Sequence, residues 1–176
     1  MNDVTVPARD AAPGQPRRQS KKPALKEIEL EFSGTAAARF TLLWDDAPET
    51  CAAVTRALPN TAECFHAIYS GTIVAFLLNA DVVAPVENAT TCIVPGDLLF
   101  THYDAGFRHG HQDPLSEIYW AYDRYARPTI PGQFVPLAAT VFGSYAGSKE
   151  EWAEFAARSS RLRFEGAAVI EVRTHR

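Results

Sequence analysis

The chain has 176 residues, 47% of them apolar and 22% charged, and carries a net charge of −4 at pH 7. That composition suits one soluble globular domain with a sizeable core, and no apolar run approaches the roughly 18 residues of a membrane-spanning helix. There is no apolar leader segment of the secretory type, and three cysteines without a CxxC spacing point to reduced thiols, so a cytoplasmic protein is expected.

Residues 1–26 hold six Lys/Arg against two Asp/Glu, which makes this stretch about +4 and the remainder about −8. Arg17-Arg18 and Lys21-Lys22, set among Pro7, Pro13, Pro16 and Pro23, have too little apolar surface to bury, so 1–26 reads as a disordered tail and 27–176 as the domain. No aromatic residues interleave the basic ones and the domain is acidic, so neither nucleic acid nor membrane is expected as a partner.

The domain opens with strict alternation in Ile28-Glu29-Leu30-Glu31-Phe32, a turn at Ser33-Gly34, and alternation again from Ala38 to Trp44. This predicts a β-hairpin. Asp45 or Asp46 then stands where a cap is wanted for a helix with Pro48 in its first turn, ended by Leu58-Pro59-Asn60. Strands are predicted over Glu63–Tyr69, Thr72–Leu78, Thr90–Val94, Asp97–His102 and Glu117–Tyr122, with a tight turn at Pro95-Gly96-Asp97. Residues 103–114 and 123–137 read as long surface loops, and loops of that length commonly carry function. Ser148 is placed to cap a helix running to Arg158, with Glu150 and Glu151 in its first turn, before a last strand from Ala167 to Arg173. Many short strands, two short helices and no βαβ alternation predict a mainly β fold, a closed antiparallel barrel.

Three segments, in order, carry a family resemblance: Ala47-Pro48-Glu49-Thr50-Cys51, then Cys64-Phe65-His66-Ala67-Ile68-Tyr69-Ser70-Gly71, then Val141-Phe142-Gly143 leading into the second helix. Together they resemble the cyclophilins, the barrel-shaped prolyl isomerases, over residues 27–174. The chain is more similar still to a bacterial family of uncharacterised cyclophilin-like proteins, domains of unknown function, through the same first two segments together with Pro85-Val86-Glu87-Asn88-Ala89-Thr90 and Pro95-Gly96-Asp97-Leu98. The resemblance implies a cyclophilin-like barrel but not cyclophilin chemistry. Ala67 stands where the isomerases place a catalytic Arg, Thr72 where they place a pocket Phe, and Ala75 where they place a backbone-binding Gln. Losing the one cationic donor removes the group that would stabilise a twisted amide, so no active prolyl isomerase is expected, and a residual isomerase or peptide-binding module stands only as an alternative.

The expectation is a small polar ligand, a carboxylate or an amide, in the cleft that isomerases use for proline. His66, Glu87 and Tyr119 are the catalytic candidates, and Tyr69, Asn88, Thr90 and Tyr103 the ligand contacts. His66 is suited to donor or general-base work, although a histidine among apolar neighbours also serves as a satisfied core group. The Glu87-Asn88-Ala89-Thr90 cluster is either a pocket rim or local turn chemistry. His109-Gly110-His111 with Glu117 offers a metal-dependent alternative, set against a solvated loop carrying two histidines. No P-loop, dinucleotide fingerprint or nucleophile elbow is present, so no cofactor is expected. Enzyme and binding module both remain open, and exposed strand edges allow a homodimer.

Overall fold

A computed structural model describes residues 25–79, 81–107, 111–129 and 136–175. The elements run β1 (Glu27–Phe32), β2 (Ala36–Leu42), α1 (Pro48–Arg56), β3 (Asn60–His66), β4 (Ile73–Leu77), β5 (Ala89–Thr90), β6 (Asp97–Tyr103), β7 (Leu115–Ala121), β8 (Ala139–Tyr145), α2 (Lys149–Glu165) and β9 (Ala168–His175). Every strand pairing is antiparallel, in the order β2-β1-β9-β3-β4-β7-β6-β8, and β2 pairs back onto β8 through Phe40, Thr41 and Leu42. Eight strands therefore close a barrel, and β5 is a two-residue addition to the free part of β8. Closure removes the sheet edges that an open sheet of this length would expose. Among the described residues no helix is long and apolar enough to cross a membrane.

Alternation sorts the strands into two faces. Ile28, Phe40, Ile170, Cys64, Val74, Ile118, Leu98 and Phe142, one from each of the eight strands, share one buried cluster, which makes that face the barrel interior. Phe155 of α2 enters the cluster against Phe32, Trp120 and Phe40, with ring centroids 5.1, 5.4 and 6.4 Å away. The Trp120 indole N–H donates to Ser159 Oγ at 3.0 Å, so the one polar atom of the largest core side chain is satisfied. A second, smaller cluster of Ile73, Ala75, Leu99, Tyr119, Ala139 and Val141 comes from β4, β6, β7 and β8 alone and lies on the outside of the barrel. β7 is accordingly buried on both faces, from Ser116 to Ala121.

Several expectations are corrected, some by long-range pairing and some by local turns. β3 starts at Asn60 rather than Glu63, because Asn60, Thr61 and Ala62 pair with Val172, Glu171 and Ile170 of β9. It stops at His66, where Ile68–Ser70 form a 3-10 turn instead of continuing to Tyr69. The strand expected over Thr90–Val94 shrinks to Ala89–Thr90, because Thr90 Oγ1 accepts the Cys92 N–H at 2.9 Å and turns the chain. α2 runs on to Glu165 and ends before Gly166, with Ser148 closing the expected capping box with Glu151. Leu25 and Lys26, assigned to the tail, are tied to the barrel: Trp44 Nε1 donates to the Leu25 carbonyl and the Leu42 N–H to that of Lys26, at 2.9 and 2.8 Å. The rest of that tail lies outside the described residues.

The cap of α1 is also corrected. Neither Asp45 nor Asp46 caps it; Ala47 occupies the N-cap position and supplies no side-chain bond. The Glu87 carboxylate arrives from 37 residues away, accepting the Thr50 N–H at 2.8 Å, the Thr50 hydroxyl at 2.9 Å and the Glu49 N–H at 3.2 Å. A carboxylate at a helix N-terminus meets both unpaired N–H groups and the positive end of the dipole. Glu87→Ala is therefore expected to lower stability by about 1–2 kcal/mol in urea unfolding, with Glu87→Gln losing less. An unchanged midpoint in both variants would remove this role.

Candidate functional site

On the outer face, the strand register sets the side chains in rows: Phe65 opposite Ala75, Ala75 opposite Tyr119, and Leu77 opposite Glu117 opposite Thr101. The 3-10 turn rises beside the first row. It presents Ser70, Gly71 and Thr72 to the segment that follows β7, and there the chain is fastened repeatedly. Thr72 Oγ1 lies 2.7 Å from the Asp123 carbonyl and 2.5 Å from that of Arg124. The Arg127 N–H donates to the Ser70 carbonyl at 2.9 Å. Ser70 Oγ donates to the Thr129 carbonyl and accepts the Thr129 N–H, at 3.1 and 3.0 Å. Gly71 sits at φ +76°, and a Cβ there would stand 2.0 Å from the Tyr125 carbonyl oxygen, so only glycine permits this approach.

Between the sheet and this fastened segment lies a cavity of about 230 Å³. Phe65, Ile73, Ala75, Pro128 and Leu137 give it apolar walls. Glu117, Tyr119, Tyr103 and Ser70 bring polar groups, and Ile68 and Tyr69 form an exposed rim. Glu117 is 6% exposed, and the Tyr103 hydroxyl donates to its carboxylate at 3.1 Å. A carboxylate so deeply buried on the outside of a barrel is costly unless hydrogen-bonded, which marks this face as more than packing. The Tyr119 hydroxyl, 2.9 Å from Thr101 Oγ1, has its pKa raised by burial and stays protonated. Tyr103 stacks on Phe107, with centroids 5.8 Å apart.

The structure thus brings His66, Tyr69, Tyr103 and Tyr119 to one cavity with Glu117. It does not bring Glu87, Asn88 or Thr90 there. Glu87 caps α1; Asn88 donates through Nδ2 to the Val141 carbonyl at 2.9 Å; Thr90 shapes its own turn. Ala67 lines the cavity, Thr72 fastens the segment beyond β7, and Ala75 lines the cavity floor. Of the metal alternative, His111 is exposed, Glu117 is in the cavity wall and His109 lies outside the described residues. Among the described residues, no group of three metal-binding side chains converges. The wall residues that sequence reasoning missed include Phe65, Ser70, Ile73, Pro128, Thr129 and Leu137. The available signal was the unbroken apolar run Ile118-Tyr119-Trp120-Ala121-Tyr122, which requires both faces of that strand to be covered.

His66 belongs to the cavity wall, but its ring is engaged on the Cys64 side, where Nε2 lies 2.8 Å from the Tyr122 hydroxyl. Nδ1 is buried with no partner among the described residues. Burial, and secondarily the charge of Arg163, holds its pKa below the usual value. Burial likewise pushes the Cys51 thiol up to about 12 and that of Cys64 to about 11, which makes both unreactive.

The fold is a closed antiparallel barrel with a cavity against the outer face of β4 and β7, and the chain belongs to the family described as protein of unknown function DUF3830, which matches residues 28–174. No curated protein matches it. Among solved structures it is similar to the hypothetical protein AF2241 from Archaeoglobus fulgidus, with a TM-score of 0.55 and 17% identity over 89% of this chain and 100% of that one. It is also similar to McbB, solved in complex with tryptophan, with a TM-score of 0.57 and 19% identity over 83% of this chain and 44% of that one. At these identities the likeness is of fold alone.

The depressed His66 pKa has a sign. The folded protein binds fewer protons than the unfolded chain between the lowered value and about 6.5, so the stability tied to His66 is complete above that range and lost as pH falls through it. The drop in urea midpoint from pH 7 to pH 5 is therefore expected to be smaller in His66→Gln than in the wild type. Equal drops would contradict the assignment.

Proposed function

We propose that the chain is a cyclophilin-like barrel protein whose outer cavity binds a small polar metabolite, an amide in preference to a carboxylate, without prolyl isomerisation. The observation that carries this reading is the buried Glu117–Tyr103 pair inside an otherwise apolar cavity on the outer face of a barrel. A few placed polar groups in an apolar concavity are what a small-molecule site requires. Its volume, about 230 Å³, is below the roughly 300–1,000 Å³ of sites for drug-sized molecules, so the ligand is small. The polar lining mixes hydroxyls, which donate and accept, with a carboxylate, which only accepts. An amide carries one group of each kind.

Binding is favoured over acid–base catalysis by the state of the candidate groups. Tyr119 is held protonated, and the Nε2 of His66 is committed to Tyr122. Isomerisation is disfavoured because the cavity wall has a methyl group at Ala67, where a cation would be needed.

A thermal-shift screen of the full chain against small amides, carboxylates, proline peptides and divalent metals tests the proposal. A ligand at a hundred times its Kd adds about 2.7 kcal/mol, a rise of roughly 5–10 °C for a chain of this size. An amide is expected to give the largest rise, and Ala67→Phe, which fills the cavity from a half-buried position, to abolish it. A rise that survives Ala67→Phe, or one produced only by metals, would overturn the reading, as would catalysis on a proline peptide.

A further inference from the structure

A second cavity, of about 260 Å³, opens where β6 and β8 meet the segment through Pro85 and Val86. It adjoins the first across one hydrogen bond: Thr101 lines this cavity, and its partner Tyr119 lines the other. Its walls are mainly apolar, from Pro85, Val86 and Phe100, and its distinctive polar group is His102.

The hydrogen bonds around His102 fix which of its nitrogens carries the proton. Ser116 Oγ has one proton, and it goes to the Val82 carbonyl at 2.7 Å, since a carbonyl can only accept. Ser116 Oγ therefore accepts from His102 at 3.0 Å, and the donor is Nδ1–H. In the neutral ring this leaves Nε2 as an acceptor. Nε2 lies on the side of Asp104, another wall residue, whose carboxylate is 4.0 Å away, too far for a hydrogen bond. The chain Val82–Ser116–His102 is thus a support that orients an imidazole lone pair, the arrangement by which a second residue fixes a functional histidine's tautomer. With Asp81 3.9 Å from Nδ1 and Asp104 beside Nε2, two carboxylates flank the ring, and an anionic ligand would be repelled. Thr140 also lines the cavity; its Oγ1 accepts the Glu87 N–H at 3.2 Å, which leaves its hydroxyl proton to give.

We propose that this cavity is a second ligand site, taking a compact apolar molecule that ends in an uncharged hydroxyl or N–H, with His102 Nε2 as the acceptor. The site is independent of the amide reading of the first cavity, and its test reads different residues. Cyclohexanol is the probe and cyclohexanecarboxylate its charged control, each titrated into the isotope-labelled full chain by NMR. Saturable shifts are expected at the amides of Phe100, Thr101, His102 and Thr140, with the His102 ring signals reporting the Nδ1–H tautomer. The carboxylate is expected to bind about tenfold more weakly or worse. His102→Phe should abolish the shifts. Val86→Trp, a change at an exposed wall residue that spares the core, should abolish them as well. The proposal is overturned by shifts confined to the Tyr119 and Ser70 side, by equal binding of the carboxylate, by an Nε2–H tautomer, or by undiminished binding in both variants.

Discussion

Ser70, Gly71 and Thr72 fasten the segment after β7 to the outside of the barrel, and the candidate site exists because of that attachment. Three consecutive residues place one carbonyl and two hydroxyls against the backbone between Asp123 and Thr129. The absent side chain of Gly71 lets the Tyr125 carbonyl come close. Without this attachment Phe65, Ile73, Ala75 and Tyr119 would face solvent on the barrel exterior, where apolar surface is costly. With it they become the floor of a cavity whose opposite wall is Pro128 and Thr129.

The barrel itself makes the arrangement rigid. An interior cluster fed by all eight strands and entered by Phe155 leaves the strands no freedom to shift register, so the outer rows from Phe65 to Tyr119 are held at fixed spacing. Glu87 extends the same logic to α1: the segment that forms one wall of the second cavity also caps the helix, so cavity wall and helix terminus are joined through one carboxylate. The two cavities adjoin across the Thr101–Tyr119 bond, and each has a hydrogen-bonded polar group in its wall, Glu117 bonded to Tyr103 and His102 to Ser116.

Much of the fold was legible because its signals are local. The alternation of Ile28 to Phe32, the Ser148–Glu151 capping box and the turn at Pro95-Gly96 all act within a few residues, and the closed barrel follows from the tally of such elements. What misled is non-local. No residue near Ala47 announces that its helix is capped from position 87, and nothing in Asn60-Thr61-Ala62 reveals that β9 is waiting to pair with it. The site divides in the same way. Tyr69 and His66 stood out by their setting in a recognisable segment and Tyr119 as an aromatic on a predicted strand, whereas Tyr103, read as the first residue of a loop, is the last residue of β6. Asn88 and Thr90 read as rim residues because polar clusters before strands look alike whether they serve a ligand or a backbone carbonyl. The outer cavity was hidden because alternation specifies which residues share a face but not what covers that face.

Amide hydrogen exchange tests the central claim most directly, since the fastening acts through two identifiable N–H groups. The Arg127 and Thr129 amides should be protected in the wild type, although the described residues 122–129 form no strand or helix. In Gly71→Ala that protection should be lost while the amides of β4 and β7 keep theirs. Free exchange at Arg127 and Thr129 in the wild type, or unaltered protection in Gly71→Ala, would contradict the account.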